Sequence, residues 1–146
     1  MELSKDLMAR QEARNLCAQA DRAYEILSQM SQAQLDAICK AVAEGFQKEA
    51  GVLARQAVAE TGFGNEQDKT QKNLFASKNV YDAIRDMTCV GVLNGRSGEK
   101  LWEIGVPVGV IGAIVPSTNP TSTVCYKALI ALKAATLSFF HPIQRP

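Results

Sequence analysis

The segment Pro116-Ser117-Thr118-Asn119-Pro120-Thr121 is the part of this chain best suited to chemistry. It separates an apolar run, Val106 to Val115, from a second apolar stretch at helical spacing, so it reads as a strand-to-helix turn. Asn119 stands where an N-cap belongs, and Pro120 suits the first helical position, where no N–H is needed. Strand, short polar turn and helix N-terminus together form the corner at which α/β sheets hold ligands. The unpaired N–H groups and positive end of such a helix favour an anion or a developing negative charge.

Other reactive residue types carry less. Cys17, Cys39, Cys89 and Cys125 are scattered with no CxxC pair, which reads as reduced thiols and not as a disulfide framework. Cys125 falls inside the helix after the turn and reads as a small buried hydrophobe. His141 is the only histidine. Glu60, near Gly62, reads as a helix-end residue in preference to a general base. Gly105, Gly109 and Gly112 have the wrong spacing for a dinucleotide fingerprint and read as sites of close backbone packing.

The elements that must position the turn follow from periodicity. Leu7, Met8, Leu16, Ala20, Tyr24 and Leu27 recur at helical spacing. Ser31 with Gln34 forms a capping-box pattern ahead of Leu35, Ile38, Cys39, Val42 and Phe46. Leu53, Ala54, Ala57 and Val58 extend that stripe, predicting one long helix stopped at Thr61-Gly62-Phe63-Gly64. A third helix is predicted over Glu66 to Met87, with Leu74, Phe75, Tyr81 and Ile84 inward. Thr88 to Leu93, a turn cluster at Asn94-Gly95-Arg96-Ser97-Gly98, and Lys100 to Ile104 read as a hairpin. Val106 to Val115 is apolar on both faces, as a strand inside a parallel sheet is. A helix then spans Thr121 to about Ala135.

Composition narrows the class. The chain has 146 residues, 47% of them hydrophobic and 21% charged, which excludes a disordered or fibrous chain. A net charge of +1 without a basic block gives no electrostatic case for nucleic acid. No apolar run reaches the roughly 20 residues that span a bilayer, and Met1-Glu2-Leu3-Ser4-Lys5-Asp6 is no signal peptide, so a cytoplasmic protein is expected. A strand buried on both faces needs paired neighbours and helices on either side. One strand–helix–strand unit and a hairpin do not complete such a sheet, so the chain reads as the front part of a larger α/β enzyme.

At these residues the sequence resembles the CoA-acylating aldehyde dehydrogenases, including the aldehyde half of bifunctional aldehyde–alcohol dehydrogenases. The matching stretches are Ala59-Glu60-Thr61-Gly62-Phe63-Gly64, Asp68-Lys69 with Lys72-Asn73, Pro107-Val108-Gly109-Val110-Ile111-Gly112, Ile114 to Thr123, and Lys127-Ala128-Leu129. The resemblance implies an α/β, aldehyde dehydrogenase-like fold: an N-terminal helical segment (1–87), a hairpin (88–104) and the first part of a Rossmann-like NAD-binding domain (105–146), truncated. It implies oxidation of a small aldehyde with NAD and transfer of the acyl group to coenzyme A, through attack by a cysteine thiolate. Asn119 would donate its amide to the tetrahedral oxyanion. Ile114, Val115, Pro116, Ser117, Thr118 and Asn119 would line the nicotinamide end of the cofactor site. Glu99 to Ile104 would belong to the subunit contact of a homo-oligomer, and neither nucleic acid nor membrane is an expected partner.

Two departures from the family pattern qualify this. The family's nucleophilic cysteine lies beyond Pro146, so the chain is expected to be inactive alone. After Ala134 the family continues Gly-Asn, an apolar run, then Ser-Pro-His-Pro, whereas here Ala135-Thr136-Leu137-Ser138-Phe139-Phe140-His141-Pro142 follows. Reading the family's codons one nucleotide later spells such a tail, which predicts a frameshift over 135–146. The competing functional class is a non-catalytic helical interaction module that co-assembles with a full-length paralogue. A non-acylating aldehyde dehydrogenase fits less well, because that branch has an aromatic residue where this chain has Thr118. A microcompartment-targeting role for the first helix lacks the expected flexible linker, so that helix is predicted to pack.

Overall fold

The computed structural model describes residues 4–95 and 101–143. Helix α1 (Lys5–Leu27) buries Ala20 and Leu27 but leaves Leu7 and Met8 49% and 58% exposed, so its first turns do not pack as predicted. Helix α2 (Gln32–Lys48) opens with the expected capping box: Ser31 Oγ accepts from the Gln34 N–H, and Gln34 Oε1 accepts from the Ser31 N–H at 2.9 Å.

The long second helix of the sequence reading is two helices. Glu49 (φ −96°, ψ 5°) breaks the path, and α3 (Ala50–Thr61) starts directly after it. Gly45 and Gly51 flank the break and lower the local preference for continuous helix. The redirected α3 buries Ala50, Ala54 and Ala57 and stops at Gly62, whose φ of +69° suits glycine. The third helix also departs from expectation. It comprises α4 (Glu66–Leu74), a π turn over Phe75–Asn79, and α5 (Val80–Ile84), ending before Met87. Within the π turn the Ser77 hydroxyl donates to the Asn73 carbonyl at 2.7 Å, in competition with the helix's own ladder.

Strands β1 (Gly91–Gly95) and β2 (Trp102–Gly105) form the predicted antiparallel hairpin, with an irregularity between Val92 and Asn94. Strand β1 starts three residues later than expected and includes Asn94 and Gly95, which the sequence pattern assigns to the turn. Residues 96–100, including Glu99 of the expected subunit contact, lie outside the described residues. A Cβ at Gly105 would sit 2.2 Å from the Cys89 carbonyl oxygen, so close packing does explain that glycine.

Strand β3 (Val110–Val115) is shorter than predicted. Pro107 has no N–H to pair, and Gly109 takes φ +109°, so the chain becomes a strand only after them. Gly109 therefore serves backbone conformation and not close packing, while Gly112 faces Phe139 closely enough that a Cβ would meet its ring at 3.1 Å. Helix α6 (Pro120–Lys133) crosses over to β4 (Leu137–Pro142), which pairs with β3 in parallel from Val110↔Leu137 to Val115↔Pro142. Helix α6 covers one face of this pair and α1 the other. Burial on β3 is one-sided: Ala113 and Val115 are buried, whereas Ile114 is 61% exposed. A helix thus lies against each face, as expected, but the cover is incomplete along β3, where Ile114 stays open.

Two apolar clusters hold these layers. Cys39, Ala43, Ala76, Cys125 and Leu129 unite α2, the π turn and α6, and Leu27, Leu35 and Ala135 unite α1, α2 and the end of α6. Leu132 packs against both. An ion pair with one buried partner ties α6 to α2: the buried Lys133 Nζ donates to Oδ1 of the half-buried Asp36 and to the Arg85 carbonyl, each at 2.6 Å.

Candidate active-site corner

Helix α4 clamps the turn ahead of α6. Lys69, Lys72 and Asn73 stand at i, i+3 and i+4, on one helix face. Lys69 Nζ donates to the Thr118 carbonyl at 2.6 Å, and Lys72 Nζ donates to Asn119 Oδ1 at 3.1 Å. Asn73 Oδ1 accepts from the Thr121 hydroxyl at 2.7 Å, while its Nδ2 donates to the Ala50 carbonyl at 2.9 Å. Three contacts thus fix Thr118, Asn119 and Thr121. Desolvation, then the neighbouring Lys72 charge, holds the buried Lys69 ammonium below its usual pKa.

Asn119 occupies the N-cap position of α6, but its side chain makes no capping bond. The capping role expected for its side chain is absent, because Oδ1 is engaged by Lys72. The first-turn bond from the Thr123 N–H to the Asn119 carbonyl is kept, at 3.3 Å. Pro120 is at N1 as predicted.

Asn119 opens onto a cavity of about 470 Å³ lined by Lys72, Phe75, Ala76, Val80, Ser122, Thr123 and Tyr126. Asn119, Ser122, Thr123 and Tyr126 lie at i, i+3, i+4 and i+7 on α6, one helical face. The π turn supplies the opposite wall. Phe75, predicted to face inward, is 63% exposed and lines this cavity. The sequence reading assigned no role to Lys69, Lys72, Asn73, Ser122 or Tyr126, although the spacing of the first three was a usable signal.

The remaining candidates lie apart from the cavity or along its edge. Val115 is buried, Pro116 and Ser117 are half-buried, and Thr118 and Ile114 are exposed, so 114–119 present a graded surface at the carboxyl end of β3. Burial alone raises the Cys125 thiol to about 12, and burial is the main cause that pushes Cys39 up to about 11. No cysteine lines the Asn119 cavity. Glu60 is exposed and does not line it, and His141 lies against α1 beside Glu12. Among the described residues, no three His, Cys, Asp or Glu side chains gather as a metal site would, and no helix is long and apolar enough to cross a membrane.

The family model described as "Aldehyde dehydrogenase family" matches residues 5–143. The bifunctional aldehyde-alcohol dehydrogenase AdhE of Escherichia coli K12 is 38% identical over 130 residues, which are 89% of this chain and 15% of that protein. An acetylating aldehyde dehydrogenase from Geobacillus thermoglucosidasius is 47% identical and superposes with a TM-score of 0.91, over 97% of this chain and 31% of that one. A propionaldehyde dehydrogenase from Rhodopseudomonas palustris, solved with bound CoA and an acylated cysteine, is 27% identical with a TM-score of 0.68, over 85% of this chain and 28% of that one. The chain therefore spans less than a third of the length of each of these proteins.

Proposed function

The chain belongs to the aldehyde dehydrogenase family, and from that premise we propose that it carries the oxyanion corner and aldehyde-binding wall of an NAD-dependent, CoA-acylating enzyme. The observation that carries this reading is the placement of Asn119: a side-chain amide at a helix N-terminus, on the rim of a cavity, with its oxygen already engaged. The nitrogen of that amide donates to the oxygen that becomes negative when a thiolate adds to an aldehyde. Phe75, Val80 and Tyr126 form apolar walls that hold a small alkyl chain and exclude water.

The cofactor fits the same corner. Exposed Ile114, the half-buried Pro116 and Ser117, and Thr118 at the open strand end offer a ledge of two apolar and two hydroxyl residues for a nicotinamide ring. Residues 114–119 would hold it, and when bound it supplies the hydride acceptor. On this reading residues 105–146 are the start of the NAD-binding domain, with 135–146 a frame-shifted tail. Residues 1–87 are its helical flank, and 88–104 a subunit-contact hairpin of a cytoplasmic homo-oligomer.

Among the described residues no cysteine thiol reaches the cavity, so on this reading the chain alone is inactive. Purified chain given propionaldehyde, CoA and NAD is expected to form no NADH, while NAD perturbs the backbone resonances of 114–119. NADH formation, or NAD binding that leaves those resonances unmoved, defeats the proposal.

A second reading rests on the hairpin. Leu101, Trp102 and Ile104 are each more than 60% exposed, which suits a module that docks on a complete paralogue. Co-expression with a complete relative separates the two: stable co-elution on size exclusion supports docking.

A further inference from the structure

We propose that Lys72 is the positioning residue that sets which end of the Asn119 amide faces the cavity. The inference rests on the oxyanion role given to Asn119 above and adds the device that makes that role available.

The chemistry of the two groups decides the orientation. A lysine ammonium has three donors and no acceptor, whereas an asparagine amide has one accepting end and one donating end. Contact between them at 3.1 Å is therefore compatible with one orientation alone, Oδ1 toward Lys72. That contact leaves the donor Nδ2, on the other branch of the planar amide, clear of Lys72. No protein group among the described residues accepts from it, and Asn119 lines the cavity. A ligand oxygen in the cavity is thereby offered a donor in place of an acceptor.

The arrangement runs against local preference, which marks it as more than helix architecture. An asparagine at an N-cap ordinarily turns its oxygen onto the N–H groups of the second or third helical residue. Here those are Thr121 and Ser122, and the cap is not made. With the oxygen capping the helix, the nitrogen would have no fixed direction toward the cavity. Lys72 withdraws the oxygen from that competing use.

The lysine is itself well placed to act as a fixed point. Its neighbour Lys69, one turn earlier on α4, is bound to the Thr118 carbonyl at 2.6 Å. Asn73 is bound to Thr121 at 2.7 Å. The Thr118 backbone before Asn119 and the Thr121 side chain after it are thus held by the same helix that carries Lys72, which leaves the amide's orientation to Lys72. Lys72 is exposed on the helix surface, and its replacement opens no buried site. Its positive charge also polarises the amide it contacts and strengthens the donor end.

The test uses the full chain, ¹⁵N-labelled, as wild type, Lys72→Met, Lys72→Arg and Asn119→Ala, with acetamide as a neutral carbonyl probe. In wild type and Lys72→Arg, acetamide shifts the Asn119 side-chain NH₂ signals with dissociation constants within about twofold of each other. In Lys72→Met the probe binds roughly tenfold more weakly. There the oxygen returns to the helix, so hydrogen exchange at the Thr121 and Ser122 N–H groups slows by about tenfold. A lysine that merely braced the fold would speed that exchange, so the sign separates positioning from support. If Lys72→Met changes neither acetamide affinity nor exchange while Asn119→Ala abolishes binding, the Lys72 role is wrong and the oxyanion reading survives. If Asn119→Ala leaves acetamide binding intact, the oxyanion reading falls and takes the Lys72 role with it.

Discussion

Asn73 of α4 and Thr121 of α6, 48 residues apart, are joined by a 2.7 Å hydrogen bond in which the threonine hydroxyl donates to the asparagine oxygen. The other end of the same amide donates to the Ala50 carbonyl, so one buried side chain ties α3, α4 and α6 together. Asn73→Ala strips partners from both. A buried group left without its hydrogen bond costs about 1–3 kcal/mol, so a loss near 2 kcal/mol is expected in chemical denaturation. Thr121→Val removes one of the two bonds and should cost about half as much. Equal losses for the two variants would mean that the Ala50 bond contributes nothing.

The Lys133–Asp36 pair gives a pH signature. Partial burial raises the Asp36 pKa, but hydrogen bonds from Lys133 and Gln32 and the Lys133 charge outweigh it, so its carboxyl lies below the usual range. A depressed carboxyl pKa contributes stability that is complete above the unfolded-state pKa and is lost as pH falls through the folded one. Denaturation midpoints should therefore drop as pH falls below about 4, the unfolded carboxyl range, and part of that drop should vanish in Asp36→Asn. At pH 7 Asp36→Asn leaves the nearly fully buried Lys133 ammonium without its counter-charge, its acceptors then being the neutral amide oxygen at 36 and the Arg85 carbonyl. The cost should be on the order of 2 kcal/mol, less than for a wholly buried pair, because Asp36 keeps solvent contact. An acid slope unchanged by Asp36→Asn would show that the pair is not linked to folding.

How far the sequence could be read depends on how local each signal was. The capping box at Ser31, the stop at Gly62, Pro120 at N1 and the hairpin were all legible, because each is a property of a few adjacent residues. The break at Glu49 was not, since no proline marks it, Gly45 and Gly51 sit inside the pattern as glycines a helix can tolerate, and both flanking stripes keep helical spacing. Its cause is tertiary: α3 must turn to bring Ala50 to Asn73. The Asn119 corner was legible as a place, through strand, turn and helix. Its clamp was not, because Lys69 and Lys72 on an exposed-looking helix read as solvated charge until α4 is laid against α6. The capping expectation for Asn119 failed for the same reason, a long-range donor having taken the oxygen.

The cysteines should separate sharply in reactivity. Cys17 is exposed, whereas burial lifts Cys39 to about 11 and Cys125 to about 12. The thiolate is the reactive form, so at pH 8 the two buried thiols are protonated as well as shielded. Brief iodoacetamide treatment followed by peptide mass spectrometry should find label on Cys17 and none on Cys39 or Cys125 until denaturant is added. Labelling of Cys125 at the rate of Cys17 would contradict the packing of α6 against α2.

Ala135 carries the clearest local strain. It follows α6 with φ +48°, the left-handed region that suits glycine, and is the one described non-glycine residue with positive φ. The turn is otherwise well made: the Ala135 N–H donates to the Leu132 carbonyl at 3.0 Å and the Thr136 N–H to the Ala131 carbonyl at 2.9 Å. These bonds reverse the chain from α6 into β4 and hold Ala135 in a conformation that costs an alanine about 1–2 kcal/mol. Glycine removes that strain but loses one buried methyl, worth roughly 0.8 kcal/mol, and gains freedom in the unfolded chain. The strain relief and these losses are of similar size, so Ala135→Gly should be close to neutral, where a buried alanine in ordinary helix would lose about 1 kcal/mol. Ala131→Gly, at a buried position within α6, is the matched control and should destabilise by about that amount. Equal losses at the two positions in urea denaturation would show that Ala135 is not strained.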